Sequence, residues 1–291
     1  MPLIISYILV VAIWSTTPLA IVFSSGSVSF IAAVTLRMFA AAFIAIIICK
    51  IFKIRVPLDK KSMLAYLSGS IGVFGGLTLV YWGSTYVSSG LISILFGLTP
   101  IISAILAAII MKEQFLTTKK LVGIIVSIGG LALVFGTNIS VSSGAYGIII
   151  ILSAVMLFNV STICVKLTGN ELHPLGQTTG TLIMSSVMYL FAWMALDGVL
   201  PSDISTVNLL SILYLAIGGS VLGFIAYYFI LQKMNVVSVG LITLMTPVFA
   251  MLLGVFVNNE QVIQQQWIGL AIVITGLGLF VLSKNPLANQ T

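Results

Sequence analysis

Ten apolar runs, each about as long as a helix that crosses a bilayer, succeed one another along the chain with only short connections between them. A hydrocarbon core of about 30 Å takes roughly 20 residues of α-helix at 1.5 Å rise per residue. The runs cover roughly 3–23, 29–51, 62–83, 89–111, 119–136, 146–167, 174–196, 208–231, 236–257 and 264–283. The first resembles a signal-peptide core, but it is too long for one and nine spans follow it, so it is read as a retained helix. Only 6% of the 291 residues are charged, against about 25% in soluble domains. So few charges cannot cover a soluble surface of this size, which excludes a cytosolic enzyme, a nucleic-acid binder and a disordered chain. The expected fold is an all-α integral membrane protein with ten transmembrane helices.

The net charge of +6 is a topology signal, because the basic residues gather in short loops. Lys50, Lys53, Arg55, Lys60 and Lys61 flank the second loop, and Lys112, Lys119 and Lys120 the fourth. Lys166 lies at the end of the sixth run, and Lys233 and Lys284 follow the eighth and tenth. With a cytoplasmic N-terminus all eleven face the cytoplasm, leaving only Arg37 inside a helix. The C-terminus is then cytoplasmic as well.

The chain also repeats itself. A shift of 147 residues lays Thr99-Pro100 on Thr246-Pro247, Glu113-Gln114 on Glu260-Gln261, Gly129 on Gly276 and Tyr81 on Tyr228. Two units of five helices follow, residues 1–140 and 141–291. An odd helix number reverses the polarity of the second unit, giving two inverted five-helix repeats, an arrangement found in many secondary transporters.

These residues resemble the EamA-type transporters of the drug/metabolite transporter superfamily. The resemblance rests on Gly97-Leu-Thr-Pro100 through Met111-Lys-Glu113, on Leu244-Met-Thr-Pro247 through Asn258-Asn-Glu260, on Trp14 in the first helix and on Arg37 in the second. Lys112 and Asn259 stand where that family usually has Gly before the motif Glu. The resemblance covers nearly the whole chain. It implies a multi-pass protein of the bacterial cell (inner) membrane that exports small metabolites, often amino acids. Drug and nucleotide-sugar transporters belong to the same superfamily.

The residues themselves leave several roles open. Pro100 and Pro247 fall near mid-bilayer, where each removes a backbone hydrogen bond and bends its helix, with Thr99 and Thr246 available to the freed carbonyls. Bent helices either open a central cavity or merely pack. Arg37 lies roughly 12 Å deep, either facing a substrate carboxylate or snorkelling to headgroups. Trp14, Tyr81, Trp82 and Tyr227 form aromatic sets that wall a site, pack, or anchor at the interface. Ser15, Thr78, Ser93, Asn159 and Thr243 either bind solute or join helices. Glu113 and Glu260 either belong to a functional motif or terminate helices.

No Asp or Glu lies in the central part of any helix, which disfavours a proton relay and a multidrug cation exporter. An intramembrane enzyme needs a nucleophile with a base, or a metal cluster, and one histidine (His173) with two separated cysteines (Cys49, Cys164) supplies neither. No cofactor or metal is expected. The expected partners are a small-molecule substrate and the lipid bilayer, with no nucleic acid; homo-oligomerisation stays open. A non-transporting scaffold or receptor is the remaining alternative.

Overall fold

In the computed structural model the described residues are 2–87, 89–112, 117–135, 141–168, 171–199, 201, 203–258 and 264–283. They are helical almost throughout. In chain order the helices are α1 (Leu3–Ser24), α2 (Phe30–Ile51), α3 (Lys60–Gly83), α4 (Ser89–Phe96), α5 (Thr99–Met111), α6 (Thr118–Phe135), α7 (Val141–Thr168), α8 (Pro174–Leu196), α9 (Thr206–Lys233), α10 (Val236–Asn258) and α11 (Gln264–Leu282). Six of them, α1, α2, α3, α7, α8 and α9, contain a stretch long and apolar enough to cross a membrane, and shorter apolar stretches lie in α5, α10 and α11. Large apolar side chains such as Ile4, Phe43, Ile109 and Phe191 point away from the protein, as an outer face in contact with lipid requires.

Short polar signals set the ends. Ser29, Asp59 and Ser205 cap α2, α3 and α9 by accepting a hydrogen bond from the backbone N–H three residues on. Hydrogen bonds from Ser62 hold the Asp59 carboxyl below its ordinary range, so this cap is lost only as pH falls through that lowered value. The single histidine has a structural place: His173 Nδ1 accepts from Leu175 N at 3.2 Å, with Pro174 opening α8. Lys112 ends α5 in the left-handed conformation, with φ of 53°. That explains the usual glycine of the resembled family, because this backbone conformation strains any other residue.

The fourth run is not one helix. It breaks at Gly97-Leu98 into α4 and α5, and Pro100 stands in the first turn of α5, where its missing N–H costs nothing. Pro247, its counterpart in the sequence shift, lies inside the uninterrupted α10. Thr246 Oγ1 donates at 3.0 Å to Thr243 O, the carbonyl that Pro247 leaves without its helical partner. The matched prolines therefore have unlike consequences. Three helices carry instead a feature the sequence did not announce: α3 is π-helical over Ile71–Gly76, α5 over Ala107–Met111 and α9 over Leu215–Leu222. Such widened turns are rare and gather at functional sites.

Every helix from α1 to α6 packs mainly on helices from α7 to α11. The chief pairings are α1 with α9 and α10, α2 with α8, α3 with α7, α5 with α10, and α6 with α11. A buried polar ladder joins α3 to α8. Gln177 donates to Ala65 O at 2.9 Å, Ser185 to Ser70 Oγ at 3.1 Å, and Tyr189 Oη to Val73 O at 2.9 Å and Phe74 O at 3.0 Å. The two Tyr189 acceptors are carbonyls of the α3 π-turn. Tyr189→Phe takes one donor from each, and is expected to cost about 1–3 kcal/mol, read as a lower melting temperature in detergent.

Candidate functional site

An interior cavity of about 130 Å³ lies between α1, α2, α3, α4, α5, α7, α9 and α10. That volume admits several waters or a small solute. Of the expected binding residues, Trp14, Arg37, Ser93, Asn159, Tyr227 and Thr243 line it. They come from six different helices, so only the folded bundle brings them together.

The other expected residues lie elsewhere. Ser15 is buried and donates to Val11 O at 2.6 Å, on a part of α1 away from the cavity. Thr78 donates to Phe74 O at 2.5 Å and Tyr189 Oη at 3.2 Å, extending the α3–α8 ladder. Tyr81 is fully buried behind Arg37 and touches the site only through it. Trp82 meets Tyr146 edge-on, with 5.7 Å between ring centroids, in an aromatic cluster with Tyr86 where α3 ends. Pro100 and Pro247 do not line the cavity, although Thr99 and Thr246 before them do. Glu113 and Glu260 lie outside the described residues.

Arg37 is 1% exposed. Its Nε donates to Ser220 Oγ at 2.9 Å, and Nη1 reaches Tyr81 Oη at 3.4 Å. The guanidinium carbon is 6.0 Å from the Tyr81 ring centre. Ser220 belongs to the π-turn of α9, and the neighbouring Gly219 makes room: a Cβ there would come within 3.2 Å of Nη2. Gly223, four residues on, does the same for Trp14, whose Nε1 would be 2.8 Å from an added Cβ. In the structure these glycines seat the two strongest donors of the cavity, so their size is tied to the site.

Aromatic rings form one wall. Trp14 lies 5.2 Å from Tyr227 and 6.3 Å from Phe224, and Phe224 lies 6.1 Å from Tyr228. Phe96 and Phe158, 5.7 Å apart, add a second ring pair. Thr17-Pro18 is a third Thr-Pro pair, beyond the two matched by the sequence shift. Pro18 lies inside α1 and both residues line the cavity. The available signal was the dipeptide itself, since Thr-Pro recurs at 17–18, 99–100 and 246–247, and all three threonines reach the cavity.

Asn159 lines the cavity, but its amide is already engaged. Oδ1 accepts from Ser103 at 2.5 Å and Nδ2 donates to Val155 O at 2.8 Å, tying α7 to α5. Asn159→Ala is therefore expected to cost roughly 1–2 kcal/mol of stability, with transport reduced only a few-fold. A thermal-shift series beside a flux assay checks both. The described lining holds no carboxylate or histidine, and the described residues contain no group of three His, Cys, Asp or Glu that could hold a metal ion. What the arrangement offers is a donor-bearing, aromatic-walled chamber, suited to holding a solute.

The model of the EamA-like transporter family matches residues 1–136 and again 145–282. The chain is 26% identical over 218 residues to an uncharacterized transporter of Archaeoglobus fulgidus, covering 73% of this chain and 76% of that one. It is 25% identical over 292 residues to Protein PagO of Salmonella typhimurium, covering 97% and 93%. A probable terminal-alkyne amino-acid exporter of Streptantibioticus cattleyicolor is 23% identical over 189 residues, covering 64% and 61%. A solved crystal structure superposes with a TM-score of 0.78 over 99% of both chains at 16% identity, a likeness of fold.

Proposed function

We propose, because the chain belongs to the EamA-like transporter family and is a multi-pass membrane transporter, that it exports small metabolites, amino acids or related compounds, across the bacterial cytoplasmic membrane. In this reading ten transmembrane helices form two inverted repeats, residues 1–140 and 141–291, with both termini in the cytoplasm. The repeats rock about a solute held near mid-membrane, exposing it to each side in turn.

One observation carries the reading: a single cavity, walled by helices from both parts of the chain, presents a buried cation and an aromatic face to its contents. A packing core has no use for a nearly unexposed guanidinium whose protein partners are neutral hydroxyls. The π-turns of α3 and α9 border the cavity through Val73 and Gly219, where the backbone is least regular and best able to change shape.

The test is flux in proteoliposomes. Preloaded vesicles carrying the purified protein are expected to exchange small carboxylate-bearing metabolites faster than empty vesicles, with saturation. No saturable flux across a broad metabolite panel, with folding confirmed by the thermal transition, removes the transport reading. Repeating the assay with and without a proton gradient separates facilitated diffusion from coupling.

A further inference from the structure

The cavity has one formally charged group among its described lining residues, the guanidinium of Arg37. The described acids lie at helix ends and in loops: Asp59 caps α3, Glu171 pairs with Lys61 at 2.6 Å, Asp197 accepts from Ser29, and Asp203 precedes α9. We propose that the solute is recognised through its carboxylate and carries a net negative charge: a monocarboxylate with an apolar body, for which an α-ammonium group is dispensable. This rests on the transporter reading and deepens it.

Donors and acceptors are unevenly shared out. Neither Nη2 of Arg37 nor Nε1 of Trp14 hydrogen-bonds a described protein group, and both lie against the glycine face of α9. Gly219 and Gly223 are four residues apart on α9, so both donors meet the same helix. Arg37 can take the carboxylate in a charge-assisted hydrogen bond, with Trp14 offering a further N–H to an oxygen or water beside it.

The hydroxyls carry no charge with which to play the opposite part. Thr17, Ser93, Thr162, Thr243 and Thr246 each donate to a carbonyl of their own helix, which leaves only neutral lone pairs facing the chamber. An ammonium group would find no fixed negative charge among the described lining residues.

Charge balance points the same way. With Arg37 contributing +1, a monoanion brings the filled cavity to zero, a zwitterion leaves +1 and an amine raises it to +2. Charge left over in a largely apolar interior is penalised heavily. The remainder of such a solute meets Trp14, Phe224 and Tyr227 on one wall and Phe96 with Phe158 on another, surfaces that favour an apolar body.

The experiment uses three probes that share a 3-methylbutyl body. Full-length protein in detergent is titrated calorimetrically with 4-methylpentanoate, leucine and 3-methylbutylamine at neutral pH. The expected order is 4-methylpentanoate at least tenfold tighter than leucine, with no saturable binding of the amine. Arg37→Gln is expected to abolish the preference, and Arg37→Lys to keep the order with weaker binding. Leucine binding as tightly as 4-methylpentanoate, saturable binding of the amine, unchanged affinity in Arg37→Gln, or no binding of any probe each overturns the inference. Should Arg37→Gln fail to fold, the order in the unaltered protein decides alone. Saturable flux of another solute alongside any of those results overturns the inference and leaves the transport reading standing, while absent flux of every solute removes that reading itself.

Discussion

Arg37→Ala is expected to lower saturable transport by about tenfold to a hundredfold, chiefly through a raised KM. A hydrogen bond to a charged group is worth about 1.5–3 kcal/mol, and each 1.4 kcal/mol is a factor of ten. The side chain is positioned at both ends of its guanidinium, by Ser220 Oγ at 2.9 Å on Nε and by Tyr81 behind Nη1. Its other N–H groups are thus held in place at the cavity wall, with little freedom to lose on binding. Ser220→Ala removes one positioning contact and keeps the charge, so a smaller effect, a few-fold, is expected there. Arg37→Ala also leaves Ser220 without its donor and opens a void beside Gly219, so a lower melting temperature accompanies it. Initial rates against substrate concentration in proteoliposomes separate the two effects. A KM unchanged in Arg37→Ala, with the protein folded and inserted, contradicts the place given to this residue.

Gly276→Val is expected to prevent stable folding, at a cost of about 3 kcal/mol or more. Helices α6 and α11 touch backbone to backbone. A Cβ on Gly276 would lie 2.5 Å from Gly123 O and 2.6 Å from Ser127 N, and one on Gly123 would lie 2.6 Å from Gly276 O. Main-chain atoms cannot swing aside as a flexible side chain can, so the pair must separate. Separation breaks the Ser127 Oγ bond to Val273 O at 3.2 Å and uncovers the small cluster built on Ile124, Leu270 and Val273. Lipid tails do not reward burying apolar surface as water does, which leaves close packing as the main force holding two such helices together. Gly129→Val is the control. Nothing lies within 4 Å of its added Cβ, and it is expected to change stability by under about 0.5 kcal/mol. Gel-filtration profiles and melting curves of the two variants compare them directly. Gly129 and Gly276 are partners in the sequence shift, yet only one of them is a contact.

Much of the architecture was legible before any coordinates. Span lengths follow from runs such as 30–51 and 174–196, because a bilayer demands about 20 apolar residues of any helix that crosses it. Thr-Pro pairs marked places where a backbone carbonyl needs another donor. The Gly97-Leu98 break was hidden, since an apolar run reads the same whether it is one helix or two. The π-turns of α3 and α9 were hidden for a related reason: an apolar run reads the same whether its turns are regular or widened, and Tyr189 and Arg37 meet these turns from other helices.

The chain's own residues thus determined that it is helical, where its spans run, and that one cation is embedded among them. Which side of each helix faces the interior was decided only by tertiary packing. Ser15 and Thr17 stand two residues apart in α1, and only Thr17 reaches the cavity. In a soluble protein the polar face of a helix points to water and gives its orientation away. In a membrane both faces are apolar, so orientation comes from partners far off in the chain, as Ser220 is for Arg37 across 183 residues.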